Sequence, residues 1–359
     1  MPHGSPHRPR RLVVLADGTW NRPDQRDRGK RKPSNVSKLA RAIVPVTRDG
    51  TSQLVYYHQG VGTAWTVSDR WLGGGFGIGL LRNVIDLYQW LVYNYAEGDE
   101  IYLFGFSRGA YSVRSLAGLI RQFGLLPKDR AFYMPEALKL YRRRADPSTI
   151  QDFRATHKTR TPCITLIGVW DTVGALGVPI PLFNLLSRRL FEFHDMTLDP
   201  SVRHARHALA INERRRPFKP TLWLGDPAPN QTIEQRWFAG VHTNIGGGYE
   251  KDGLANVALK WMVDEAEKLG LVVDREFLKP YKPFVGDKLR RSMTLFYLLL
   301  WPYNRPLLTT APSTEVIDQS VYALYRDKPT YRPKNLVRLI ERNNLDVAAL
   351  AALPPKEPP

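Results

Sequence analysis

Cysteine is nearly missing from this chain of 359 residues. Cys163 stands alone, which excludes an internal disulfide framework and fits either a reducing compartment or an exported protein that needs no covalent staples. Long apolar runs are missing too. The longest that suggests a membrane segment, Met293 to Trp301, is far too short to cross a bilayer. The first ten residues are dominated by Pro, His and Arg and contain no apolar stretch of signal-peptide type. The expectation is therefore a cytoplasmic protein, with signal-independent export left open. Acid is in short supply, with 34 Asp and Glu against 52 Lys and Arg, a formal charge of +18.

Such a balance attracts polyanions, yet no nucleic-acid module is recognisable and the arginines are not interleaved with stacking aromatics. No specific nucleic-acid partner is expected. Two readings of the charge stay open: a basic surface without a dedicated partner, and peripheral contact with an anionic membrane. The glycine run from Gly73 to Gly79 lacks the Gly-Lys-Ser/Thr ending of a phosphate cradle and does not directly follow a strand. It reads as a flexible border of an active site. No metal-ligand spacing is present, and neither a metal nor a cofactor is expected.

What the chain does contain is Gly105-Phe-Ser107-Arg-Gly109, set between an apolar run, Ile101 to Phe104, and a helical pattern over Ala110 to Phe123. Val113, Leu116, Ala117 and Ile120 fall on one face of that pattern. A serine attacks an ester only when held clear of the backbone beside a base and beside donors for the oxyanion. A sharp strand-to-helix turn provides this, and it needs small residues on either side because the two backbones nearly touch.

Around this elbow the rhythm is strand, helix, strand. Arg11–Ala16, Gln53–His58, Cys163–Val169 and Gln231–Phe238 read as strands. Asn35–Val44, capped by Ser34 or Asn35, reads as a helix, as do Asn83–Tyr95, Ala131–Ala145, Thr149–His157, Val202–Asn212 and Asn256–Lys268. The pattern predicts an α/β fold of α/β-hydrolase type, a mainly parallel sheet with helices on both faces and helical or apolar cap insertions. Residues 11–340 form one domain in this reading, with insertions near 128–160 and 178–193, between a basic tail, 1–10, and a C-terminal tail, 341–359.

A nucleophilic serine needs a base and a group that orients it, and this fold delivers them in the order Ser, acid, His on loops after strands. Asp171 follows the Cys163–Val169 run, and His242 follows the Gln231–Phe238 run among glycines. His204 and His207 lie on a predicted helix, His3 and His7 in the tail, and His58 and His194 at strand edges, all weaker places for a base. Asp195 also lies between Ser107 and His242, so the acid is Asp171 or Asp195. The amide of Arg108 is the expected first oxyanion donor, with Gly18 or Thr19 as the second. Asp17 closes the first strand as a turn former or a loop-pinning carboxylate.

The segments LVVLADGTWN, GVGT, GGGFGIGL, GDEIYLFGFSRGAYSVRSLAGLI, GVWDTVGALG, HALAINERRRPF, WFAGVHTNIGGGY and IDQSVYALYRDKPTYRPKNL together resemble the α/β-hydrolase family called domain of unknown function 2235. That family includes the catalytic domain of type VI secretion phospholipase effectors, and the resemblance runs from about residue 11 to about residue 335. It implies a serine esterase of lipase type with Ser107 as nucleophile and His242 as base. Asp171, in the GVWDTVGALG segment, is the matching choice for the acid. Phospholipid or another lipid ester is the implied substrate. A soluble small-ester or polyester hydrolase, and a catalytically idle module that binds an anionic membrane or polymer, remain alternatives. One departure stands out: the family often has His-Ser-Asp where this chain has His242-Thr243-Asn244, which puts a supporting or cation-binding role at position 244 in question. The large membrane-docking modules of secreted effectors have no counterpart in the sequence, which puts an antibacterial toxin role in question as well.

Overall fold

Apolar runs long enough to be buried on both faces organise this molecule into a seven-stranded sheet. The structure is a computed structural model and describes residues 8–18, 26–60, 75–173, 197–294, 297, 302–310 and 314–352. The strands are β1 Arg11–Ala16, β2 Gln53–His58, β3 Glu100–Phe106, β4 Ile164–Trp170, β5 Val202–Ala210, β6 Thr232–Phe238 and β7 Glu315–Ile317. Their order across the sheet is β2-β1-β3-β4-β5-β6-β7, and every pair is parallel. The fold is α/β and hydrolase-like.

Period-two alternation divides each central strand between two cores. Leu12, Val14, Ile101 and Leu103 face a cluster built with α2, Gly75–Asn94, and α3, Arg108–Phe123. Val13, Leu15, Tyr102 and Phe104 face the opposite cluster, with α1, Asn35–Ala42, and a long helix over Gly253–Lys268. Ser34 caps α1 by accepting the amide of Ser37 at 3.1 Å. Among the described residues no helix is long and apolar enough to cross a membrane.

Strand order reverses between β1 and β3, and a parallel sheet opens its ligand crevice at such a switch, beyond the carboxyl ends of the strands. Residues 17, 107 and 171 follow β1, β3 and β4, and residue 242 comes four places after β6. The elbow glycines are required by contact. A Cβ on Gly105 would lie 2.6 Å from the Cα of Ala110, and one on Gly109 would strike the carbonyl of Ala16. Gly109→Ala is expected to cost about 3 kcal/mol of stability in urea unfolding. An unchanged midpoint would contradict the close approach of α3 to β1.

Three expectations are corrected. Val202–Asn212 is not a helix: its first nine residues are β5, in the middle of the sheet. Alanine-rich sequence favours a helix locally, but burial between β4 and β6 overrides it, and the strand's polar side chains are satisfied in place. Arg206 pairs with Glu265 at 2.6 Å, and His207 Nε2 accepts the amide of Thr172 at 3.0 Å. From Gly75 onward the glycine run is the opening of α2 rather than a border loop, and it extends the predicted Asn83–Tyr95 helix toward its N-terminus. The segment 341–359 is not simply a tail. Residues to 343 belong to the helix Lys334–Asn343, and Val347–Ala352 is a further helix whose Val347 and Leu350 pack on the third core cluster. The apolar insertion 178–193 lies outside the described residues. The 128–160 excursion comprises α4, Met134–Arg143, and α5, Pro147–His157.

Candidate active site

Ser107 occupies the turn between β3 and α3 with φ 57° and ψ −118°, a left-handed conformation that a side-chain-bearing residue adopts only when its surroundings impose it. Its amide donates to the carbonyl of Trp170 at 3.0 Å, which ties the elbow to the end of β4. Its Oγ lies 2.8 Å from His242 Nε2. The other ring nitrogen, Nδ1, lies 2.6 Å from Asp171 Oδ2. The serine, histidine and aspartate picked out in the sequence thus converge on one hydrogen-bonded line. All three are buried, Ser107 being 8 % exposed and His242 5 %.

Each partner of Ser107 is held by its own element. Asp171 follows β4 with φ 42° and donates its amide to Ala208 of β5 at 2.7 Å, while Oδ1 accepts the amide of Ala210 at 3.0 Å. His242 opens a short helix, α6, His242–Gly246, placed so that its amide donates to Glu213 Oε2 at 3.2 Å. Phe106 and Phe218 flank the imidazole at 4.7 and 5.0 Å between ring centres.

Two charged residues that sequence reasoning missed complete the frame. Arg305 has a fully buried side chain and grips Asp171 with both guanidinium ends, Nη1 to Oδ1 at 2.6 Å and Nη2 to Oδ2 at 3.0 Å. It also donates to the carbonyls of Ala210 at 2.9 Å and Phe218 at 2.6 Å. Glu213 is buried beneath His242 and receives Arg215 Nε at 2.9 Å and Nη2 at 2.8 Å, the amides of Arg214 and Arg215, and Ser292 Oγ at 3.0 Å. Glu213 lies inside one of the segments that carry the family resemblance. Arg305 lies in none of them and had no local signal.

These contacts set the charge states. Burial alone would raise the Asp171 carboxyl, but the Arg305 guanidinium and the His242 ring outweigh it and hold the group well below the usual carboxylate range. Burial lowers the His242 imidazole from its ordinary value; Asp171 opposes the shift without cancelling it. An ionised Asp171 therefore faces a neutral His242 at pH 7, with Nδ1 as donor and Nε2 able to accept the serine proton. His207 is pushed down to about 3, by burial first and then by Arg114. Its Nε2 is committed to the Thr172 amide, so it is a neutral structural histidine of β5.

The remaining predicted residues divide. Arg108 begins α3, which puts its amide beside Ser107 at the helix N-terminus. The Gly18 amide, expected to aim at an oxyanion, instead donates to Asp17 Oδ1 at 2.7 Å. Asp17 also accepts Tyr57 Oη at 2.7 Å and the Ser34 hydroxyl, so it pins the loop after β1 to α1 and β2. Thr19 and Asp195 lie outside the described residues. Asn244 accepts the amides of Val241 at 3.3 Å and Arg290 at 3.4 Å and so braces the turn that presents His242. Among the described residues, no group of three His, Cys, Asp or Glu side chains could hold a metal ion.

Comparison with known proteins adds a family. The model of the type VI secretion system phospholipase effector Tle1-like catalytic domain matches residues 10–265. An uncharacterized protein of Saccharomyces cerevisiae is 28% identical over 232 residues, which cover 58% of this chain and 32% of that protein. The chain thus spans about a third of this curated relative. Among solved structures, the Tle1 effector bound to the VgrG spike of the type 6 secretion system aligns with a TM-score of 0.42 at 19% identity, over 68% of this chain and 52% of that one. An uncharacterized protein from Pseudomonas aeruginosa aligns at 0.46 and 15% identity, over 97% and 60%.

Proposed function

Because the chain belongs to the Tle1-like family of type VI secretion phospholipase effector catalytic domains, we propose that it is a serine hydrolase of carboxylic esters, acting on phospholipid or another lipid ester through Ser107, His242 and Asp171. The observation that carries the reading is the position of His242, one ring nitrogen 2.8 Å from Ser107 Oγ and the other 2.6 Å from Asp171. The family supports the lipid ester as substrate.

The chemistry follows from these placements. His242 Nε2 takes the proton of Ser107 Oγ as that oxygen attacks the ester carbonyl carbon, and Asp171 stabilises the imidazolium that forms. The negative charge on the former carbonyl oxygen is met by the Arg108 amide at the start of α3. The tetrahedral species collapses by expelling the alcohol, which leaves with the proton from Nε2, and Ser107 keeps the acyl group. Water, deprotonated by the same nitrogen, then attacks the acyl-enzyme; the bond from Ser107 Oγ to the acyl carbon breaks, Oγ takes the proton back from Nε2, and the carboxylic acid is released. Only the neutral imidazole begins this sequence.

Fatty-acid release from phospholipid vesicles is the expected activity, and its kcat/KM should stay flat near neutrality and fall with acid on a limb centred below 6.5, the ordinary histidine value. Because burial lowers the folded-state value, the limb lies on the acid side of that figure. A limb centred above pH 7 contradicts a base in the His242 environment, and no release from any phospholipid or other lipid ester overturns the substrate assignment.

A further inference from the structure

The loops that bring Glu213 and His242 to the site also form one wall of a second feature. A cavity of about 430 Å³ opens beside them, with Ile211, Val241 and Leu289 as apolar lining. Val241, the residue before His242, is in its wall, whereas Ser107, Asp171 and His242 are not among its lining residues. Its charged lining is entirely basic: Arg214, Arg290, Arg291, Arg332 and Lys334, with no Asp or Glu among the residues that form it. Glu213, next in sequence to the lining residues Asn212 and Arg214, is already satisfied by Arg215.

The cations differ in how they are held. Arg332 is fixed in place, its Nη1 donating to the carbonyls of Tyr325 at 2.7 Å, Tyr331 at 2.9 Å and Lys328 at 3.2 Å, with the guanidinium 3.9 Å over the Tyr325 ring. Arg290 is paired with Asp27 at 3.1 Å. Arg214, Arg291 and Lys334 are exposed and have no carboxylate partner among the described residues. Lys334 also starts the ten-residue helix Lys334–Asn343. The N-cap residue Pro333 makes no capping bond, Asn335 Oδ1 accepts the first-turn amide of Leu336 at 3.1 Å, and the first turn carries no acid. A cation is poorly placed at the positive end of a helix unless an anion joins it.

We infer that this cavity binds the phosphate-bearing headgroup of an anionic amphiphile. Guanidinium groups match the oxygens of a phosphate in pairs. The apolar lining adds what a free phosphate ion cannot use, a surface for the glycerol and the first carbons of the chains. A pocket of this size suits such a group. Headgroup capture here places the attached ester next to the His242 loop, so the inference deepens the lipid-ester reading and rests on it for the identity of the ligand. Leu289, Arg290, Arg291, Arg332 and Lys334 lie beyond the family-matched segment 10–265, while Ile211, Asn212, Arg214 and Val241 lie within it.

The test is calorimetric titration of the Ser107→Ala protein with monomeric dihexanoyl phosphatidic acid. Saturable single-site binding is expected, weakened at least about tenfold by Arg291→Ala with Lys334→Ala. An equal charge removal far from the cavity, Arg142→Ala with Arg143→Ala on the exposed face of α4, should weaken it less than about twofold. Equal weakening by both pairs, or no saturable binding, overturns the site. Inorganic phosphate binding as tightly as the lipid overturns the amphiphile assignment. No turnover enters the measurement, so its failure is distinct from a failure of the ester-hydrolase reading, which is read from chemistry at Ser107.

Discussion

Ser107→Ala is expected to lower kcat/KM for ester hydrolysis by about 10⁴-fold or more, with the circular-dichroism spectrum unchanged. The hydroxyl is the only group lost, and its hydrogen bond to His242 Nε2 at 2.8 Å is the one that carries the proton in the proposed reaction. The backbone makes a second measurement informative. At φ 57° and ψ −118° a glycine is less strained than any residue with a Cβ, so Ser107→Gly should be more stable than Ser107→Ala by about 1 kcal/mol. Both variants should be inactive. Residual turnover within tenfold of the parent protein in either would place the nucleophile elsewhere.

The second large effect is expected at Arg305. Its guanidinium makes two bonds to Asp171 and one each to the carbonyls of Ala210 and Phe218, with no exposure to solvent. Arg305→Met leaves a buried carboxylate without its balancing charge and two carbonyls without donors, and the expected loss of stability is about 4 kcal/mol. In the parent protein Asp171 is held below its unfolded value. Its contribution is therefore complete above the ordinary aspartate range and is lost only as pH falls through the depressed folded value. Without Arg305, burial pushes the carboxyl upward, so the acid-unfolding midpoint of the Met variant should move to higher pH. Activity should drop with it, because a protonated Asp171 no longer orients His242. Arg305→Lys keeps the charge but loses the two-pronged grip and should fall between the two on both measurements. An unshifted acid midpoint in Arg305→Met would contradict the role assigned to the pair.

The parts of this site that were legible in the sequence are those written in adjacent residues. Gly105 and Gly109 around Ser107 mark a turn whose backbone geometry demands them, and β1 and β3 are apolar runs with no competing reading. Asp171 and His242 each follow a recognisable strand, although order alone left Asp195 as a second choice for the acid. What stayed hidden depends on tertiary packing. Val202-Arg-His-Ala-Arg-His-Ala resembles a helix because its polar residues need partners. Those partners, Glu265 and the Thr172 amide, come from distant elements. Arg305 sits in a stretch without periodicity, 134 positions from the carboxylate it holds. Gly18 looked like an oxyanion donor from its place after β1, but a neighbouring carboxylate takes the amide first.

Ser107, as an activated nucleophile, should react with a fluorophosphonate, whereas an unactivated serine does not. Mass-spectrometric mapping after exposure of the folded protein to such a probe tests it most directly. A single adduct on the peptide containing Ser107, abolished by His242→Ala, is expected. An unmodified Ser107, or an adduct that survives His242→Ala, would contradict it.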